Sequence, residues 1–598
     1  MGRTIAAGIV ALSLLTSACA DTALRNEAEA FLDAYEEQYQ ESYYAWSQAE
    51  WALSTRIVEG DTTNAARTRR AHEAFVGFAG SVENIDTIRA YLDQRDALTP
   101  LQVLRLEKML YQAAEGPQTI PEIVQQRIAA EAAQTEALYG YEFRLRGQPI
   151  TPNEIDRRLR TSTDLADRRA VWETSKAVGP VLKPGLVRLR DLRNETVRAL
   201  GYSDFFAQQV SDYGLTTDQM LRLCDQLVEQ LRPLYREIHT WARHELAERY
   251  GAPVPELLPA HWLPNRWGQD WSALVEVEGV NADSALGAQT AEWVMAQGEA
   301  FYRSLGFEPL PQSFWERSSL YPVPPDAEYK KDTHASAWHL DLADDVRSLM
   351  SVEPNAYWYE TVHHELGHVY YFMAYTNPDV PLVLRDGANR AYHEAIGSMI
   401  GLAASQRQFL VNRGLAPPEA EVDEIALLLK EALNHVVFIP WSAGVMTRFE
   451  RTLYADELPA EVFNATWWDL VRRYQGIVPP APRGEEYADA MTKTHINDDP
   501  AQYYDYALSE VLLFQLHDHI AREILQQDPH DTDYFGSEGV GEFLWDIMAP
   551  GASRPWQEVL QETTGRELDA QAMVDYFQPL YDWLVEQNRG RRHTLLEL

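Results

Sequence analysis

The first sustained pattern lies in residues 27–53, "EAEAFLDAYEEQYQESYYAWSQAEWAL". Phe31, Leu32, Tyr35, Tyr39, Tyr43 and Trp46 fall at helical spacing, with acids and glutamines between them, which predicts a long amphipathic helix. Similar periodicity predicts helices near 120–140, 155–200, 217–250, 285–305, 420–437, 506–526 and 567–588. Proline-rich stretches such as "APVPELLPAHWLP" and "QGIVPPAPR" separate them, and their bulky apolar residues suit ordered, packed loops. The clearest alternation of period two is "HASAWHLDLADDVRSLMSVEP", residues 334–354. It predicts a short β-hairpin whose edge could accept an extended peptide as an added strand. A purely structural hairpin is compatible with the same pattern. The fold class is therefore mostly α.

Residues 359–372, "YETVHHELGHVYYF", combine this helical periodicity with candidate chemistry. Val362, Leu366, Val369 and Met373 form an apolar stripe that would seat one face of a helix. Residues four apart on a helix lie about 40° apart around its axis, so His364 and His368 project together. Glu365 lies about 100° round from His364, badly placed as a third ligand but able to reach a water on the same ion. A catalytic zinc site takes three protein ligands and keeps one position open. Glu394 follows in the first turn of the next predicted helix, "RDGANRAYHEAIGSMIGLAAS", whereas its neighbour His393 points away. Two imidazoles and one carboxylate suit zinc better than magnesium. His363 reads as structural.

Composition narrows the alternatives. The 598 residues are 45% hydrophobic, with 17 Trp and 30 Tyr, enough for a large core, read as one unit over 20–598. A net charge of −38 argues against a nucleic-acid partner and is otherwise a solvating surface. The N-terminus, with Arg3 and "IAAGIVALSLL" before "TSACAD", reads as a secretory signal over 1–19. Its end resembles a bacterial lipoprotein cleavage site, which implies lipidation of Cys19 and a lipid anchor. Thr16 stands where Leu is commonest, and plain cleavage near Ala20 is the alternative. The expected location is the bacterial periplasm or cell envelope. With only Cys224 remaining, no internal disulfide is possible, and no second long apolar run is evident.

Together, "HHELGH" and "RDGANRAYHEAIG" resemble the angiotensin-converting-enzyme family of peptidyl-dipeptidases, whose pattern is HHEMGH followed by a GANPGFHEAIGD-like helix. The likeness extends to "HASAW" (334–338), "RWGQDW" (266–271), "WWDLVRRYQGIVPPAP", and "KTHIN…YYDY…FQLH", with "VWETSK" and the first helix weaker. It implies a large helical zincin, two lobes around a deep central cleft, with the hairpin beside the zinc helix. It also implies one Zn2+ per chain and release of dipeptides from the free C-terminus of oligopeptides. In that reading His364, His368 and Glu394 bind the metal and Glu365 is the base. Tyr506 donates to the oxyanion, and His495 and His334, with Ala335 of the strand, hold the substrate backbone. Lys493, Gln269 and Tyr503 anchor the terminal carboxylate.

Departures from the family pattern carry their own expectations. The tyrosine assignment requires one extra residue after His495, which leaves Tyr503, Tyr504 and Tyr506 partly interchangeable. The family's Asp four residues after the glutamate ligand, which orients a zinc-bound histidine, is Ser398, so metal binding should be attenuated but not lost. The chloride-binding arginines fall on Lys176, Val471 and Asp505, so chloride is not expected as a bound ion and its activation should be weak or absent. The family's disulfide near the cleft has no counterpart, with Ser351 near one of its positions. Two rival readings stay open: another HExxH-plus-Glu peptidase (a single-residue metallocarboxypeptidase or an oligopeptidase), or a degenerate peptide-binding lipoprotein.

Overall fold

The computed structural model describes residues 21–58, 60–277, 282–419 and 421–598; residues 1–19, expected as a signal segment, and with them Cys19, lie outside them. The chain is mostly α-helical, and its described strands form three two-stranded sheets.

In the first helix, which ends at Thr55, the residues from 21 on present the expected aromatic stripe. Rings of Tyr35, Tyr39, Tyr43 and Trp46 succeed one another at 5.9–6.0 Å and pack on Phe75 and Phe78 of helix Thr63–Ala79. The buried Arg105 on helix Pro100–Ala113 ties down the polar edge, donating to Glu29 at 2.6 Å and Glu36 at 2.8 Å. This layer joins Leu342, Val380, Val383 and Leu384 in an apolar cluster separate from the main core.

Several predicted helices are divided. The stretch 155–200 forms Pro152–Thr161, Leu165–Ser175 and Gly179–Arg198. The Asp164 side chain accepts from the backbone N–H of Ala166 and starts the second, and Pro180 fits the first turn of the third. Residues 567–588 form Gln571–Tyr576 and Gln578–Gln587, the latter opened by Pro579. The helix Tyr504–His519 runs on as a π turn, Ile520–Leu525. Contrary to the expectation of no further long apolar run, Glu424–Ala455 is long and apolar enough to cross a membrane. It is 56% buried within the fold, as a core segment would be. Cys224 is fully buried and unpaired.

The predicted hairpin is present as Ser336–His339 antiparallel to Val346–Leu349, with Ser336 opposite Leu349 and His339 opposite Val346. Its inner strand is closed on its second side by residues 318–320. Ser319 N–H donates to Ser348 O, and Met350 N–H to Ser319 O. No described strand pairs with the other edge of Ser336–His339. His339 stacks on Phe372, fixing the hairpin against the helix that carries HELGH.

That helix, Ala356–Tyr375, begins where the Asn355 side chain accepts from Trp358 N–H. Val362, Leu366 and Val369 are fully buried, and Met373 is half-buried. Two neighbours approach it closely at glycines. A Cβ on Gly298, in helix Ala291–Ser304, would come within 2.7 Å of Val362 and 2.8 Å of Leu366. Gly367 faces Gly397 of helix Arg390–Ser405, where a Cβ would meet the opposite Cα at 3.1 Å. The absence of side chains there lets two helices carrying candidate ligands lie nearly backbone to backbone.

Candidate metal centre and peptide cleft

Helix packing delivers one ligand atom each from His364, His368 and Glu394 to within 4.8 Å of one another. The two imidazole Nε2 atoms are 3.1 Å apart. Burial pulls His364 down to about 4 and His368 well below the usual histidine range, with the neighbouring rings of His364 and His393 adding to the latter. Both rings are therefore neutral at pH 7, with lone pairs available to a cation. Burial lifts the Glu394 carboxyl, against the opposing charges of Arg390 and His334.

Glu365 is 6% exposed, and its Oε2 has no hydrogen-bond partner among the described residues. Burial, then the Glu394 carboxylate, push it up to about 8. An orphaned buried carboxylate oxygen beside two neutral imidazoles requires a counterpart. A dication with a water supplies one, and two nitrogens, one oxygen and an open position fit zinc. His363 is structural as read: it is fully buried, its Nδ1 is 2.7 Å from Tyr359 O, and it packs on Phe301 and Phe409.

A second group of predicted residues also converges. Lys493 Nζ donates to Gln269 Oε1 at 2.9 Å and stands 5.2 Å from the Tyr503 ring and 4.6 Å from that of Trp267. Lys493 is 4% exposed, and among the described residues no carboxylate lies within salt-bridge range of it. Burial, then the charge of Arg266, pull it down to about 7. A buried ammonium without a carboxylate is electrostatically set to receive one.

His495 lies between the two groups. Its ring is 5.1 Å from that of Tyr503, and its Nε2 is 3.4 Å from Tyr506 Oη. Burial, then Lys493, pull His495 down to about 4. The three tyrosines separate cleanly. Tyr503 joins the lysine, Tyr506 joins His495, and Tyr504 turns away into the core against Phe206 and Tyr213. The exposed His334 lies two residues before the hairpin's edge strand, its Nδ1 2.8 Å from Ala335 O. The half-buried Ser398 makes no side-chain hydrogen bond among the described residues, so neither triad imidazole takes support from it.

Arg390 and the carboxylates around His435 were not anticipated, whereas Asp505, Lys176 and Val471 are the positions where the resemblance places chloride-binding arginines. Arg390, one turn before Glu394, donates to both Asp499 oxygens at 2.9 and 2.8 Å and to Tyr506 Oη at 3.0 Å. Its helical spacing from Glu394 was the only signal in the sequence. Asp505 is fully buried, accepts from Tyr213 Oη at 2.6 Å and is pushed up to about 8 by burial. Lys176 is buried over Trp172 and Trp267, its Nζ 3.3 Å from Thr492 Oγ1, and Val471 is buried. One turn before His364 and one turn after Tyr506, Glu360 and Glu510 face a further titratable pair, Glu431 and His435, with His435 Nδ1 2.5 Å from Glu510.

Comparison with known proteins shows which family the chain resembles. A sequence profile of the peptidase family described as angiotensin-converting enzyme matches residues 22–595. The angiotensin-converting enzyme-like protein Ace3 of Mus musculus is 29% identical over 590 residues, covering 95% of this chain and 78% of that protein. Angiotensin-converting enzyme of Rattus norvegicus is 31% identical over 600 residues, but the chain spans only 44% of that protein's length. The angiotensin-converting enzyme-related protein of Drosophila melanogaster is 32% identical over 461 residues, 73% of this chain and 71% of that protein.

Proposed function

Because the chain belongs to the angiotensin-converting-enzyme family of zinc-dependent peptidases, we propose that it releases dipeptides from the free C-terminus of oligopeptides. The observation that carries this reading is the buried, carboxylate-free Lys493, which reaches Tyr506 through Tyr503 and His495, while Arg390, one turn from Glu394 of the candidate metal cluster, donates to the same Tyr506. His364, His368 and Glu394 would hold the zinc ion. When bound, zinc supplies Lewis acidity to the scissile carbonyl and to the attacking water.

This chain's residues do the rest. Lys493, with Gln269 and Tyr503, binds the terminal carboxylate and so sets how many residues lie between chain end and scissile bond. The free edge of Ser336–His339, entered past His334 and Ala335, offers backbone hydrogen bonds to an extended peptide, and His495 would hold the substrate backbone from beside Tyr506. Glu365 accepts the proton of the attacking water and passes one to the leaving amine. A nearby dication favours its ionised form and would draw its pKa down from about 8. The Tyr506 hydroxyl donates to the carbonyl oxygen as negative charge builds on it.

Mass spectrometry of products from a small library of blocked and free peptides tests the proposal, with Glu365→Gln as control. Dipeptides from free C-termini, and none from C-terminally amidated peptides, are expected. Release of single amino acids or internal cleavage would replace this reading with another peptidase specificity.

A further inference from the structure

Tyr506 can stabilise an oxyanion only if its hydroxyl hydrogen is directed at the substrate, not at a neighbouring acceptor. Its surroundings narrow that direction, because the one neighbouring acceptor among the described residues, His495 Nε2, stands at a long 3.4 Å. Arg390 Nη2 donates to Tyr506 Oη at 3.0 Å, filling an acceptor position on the hydroxyl with a charged donor. Arg390 cannot accept a hydrogen bond in return, so the phenolic hydrogen must turn elsewhere. The guanidinium is itself fixed. Its two terminal nitrogens grip Asp499 in a fork at 2.9 and 2.8 Å, and its Nε faces Asp505 Oδ2 at 3.8 Å. Both hydrogens of Nη2 are thereby used, one on Asp499 and one on Tyr506.

Arg390 and Glu394 lie one turn apart on the helix Arg390–Ser405, so their side chains share a face. The helix thus carries a candidate ligand on one turn and the clamp on the tyrosine on the turn before. We propose that Arg390 is a positioning residue for catalysis: it aims the Tyr506 hydroxyl at the reacting carbonyl oxygen, with Asp499 holding the guanidinium in place. A hydroxyl that accepts from a cation is also a stronger donor, so the same contact strengthens what Tyr506 gives to the oxyanion. The inference rests on the peptidase reading but not on dipeptide length.

The test combines Arg390→Gln, Arg390→Lys, Asp499→Asn, Tyr506→Phe and the double variant Arg390→Gln/Tyr506→Phe. Total peptide hydrolysis, bound zinc and thermal melting are measured on each. Arg390→Gln should lower kcat about 10- to 100-fold with KM changed less than about threefold, at unchanged zinc content. Asp499→Asn should fall between it and wild type. Arg390→Lys, which keeps charge without the fork, should recover only part of the loss. The double variant should be no slower than Tyr506→Phe by more than about twofold, because the two side chains act through one hydroxyl. Additive losses, or a kcat for Arg390→Gln within about twofold of wild type, overturn the proposal.

Where the wild type hydrolyses no peptide, the functional reading fails and this one is decided separately. The 13Cζ resonance of Tyr506, assigned through Tyr506→Phe, should shift in Arg390→Gln and not in a remote variant such as Arg554→Gln. An unmoved resonance overturns the contact itself.

Discussion

Gly397 lies flat against the ring of His364: a Cβ placed on it would stand 3.0 Å from Cε1 and 3.1 Å from each ring nitrogen. The imidazole therefore occupies space that any other residue at 397 would fill. Gly397→Ala should displace the ring and weaken zinc binding about tenfold or more, with a comparable loss of activity at limiting metal. Competition against a chromogenic chelator measures this, and zinc affinity equal to wild type would show that the ring is not held by that contact.

Removing the base tests a different dependence. Glu365→Gln keeps shape and leaves all three donors of the cluster in place. It should retain one zinc per chain while kcat falls about 10²- to 10⁴-fold. A variant that loses metal and activity together would make Glu365 a ligand instead of a base.

The carboxylate anchor carries a pH signature. Lys493 is drawn down to about 7, so in the free protein it loses its charge as pH rises through neutrality. A substrate carboxylate then binds only with uptake of a proton, and kcat/KM should fall by up to about tenfold per pH unit above pH 7. In Lys493→Met this limb should vanish and KM should be high throughout. The same shift gives the sign for stability. A lysine with a depressed folded pKa destabilises the fold fully below about 7, and the penalty is relieved as pH rises toward 10.5. Below neutrality Lys493→Met should therefore melt no lower than wild type.

His435 titrates the other way. Burial alone would lower it, but Glu510 at 2.5 Å, then Glu431 and Glu360, raise it above the usual 6.5. Its contribution to stability is full below pH 6.5 and is lost as pH rises through the folded pKa. Histidine NMR titration should show a midpoint above 6.5 that drops in Glu510→Gln. A midpoint at or below 6.5 in the wild type would mean that desolvation wins.

Chloride titrated at constant ionic strength should leave hydrolysis unchanged. A buried carboxyl, Asp505, occupies the position next to Tyr506 where the family resemblance places an anion-binding arginine, and Arg390 is already committed to Asp499. A several-fold rise in rate would overturn this.

Local features of the site were legible because local physics specifies them. The seated stripe of Val362, Leu366 and Val369 fixed the face of the HELGH helix, and with it the joint projection of His364 and His368. Alternation in 334–340 specified the hairpin. Relationships across the fold were not legible. Arg390 meets Tyr506 across 116 residues of chain, and only the packing of two helices brings them together. Likewise, the choice among Tyr503, Tyr504 and Tyr506 depended on where the helix Tyr504–His519 turns its first residues, which the run "YYDY" leaves open. The division of 155–200 into three helices hinged on one cap, Asp164, and one proline, Pro180, inside an otherwise continuous periodicity.

The hairpin's one unpaired edge has a consequence for which polypeptides are spared. Only the four residues Ser336–His339 are open to pairing, and residues 318–320 already occupy the far side. A partner strand must arrive extended, with its own backbone groups unused. A folded protein has spent those groups on its own helices and sheets. On the proposed reading, the edge would thus pass over native proteins and pair with loose peptide ends, a safeguard built from hydrogen-bond valence that requires no inhibitor.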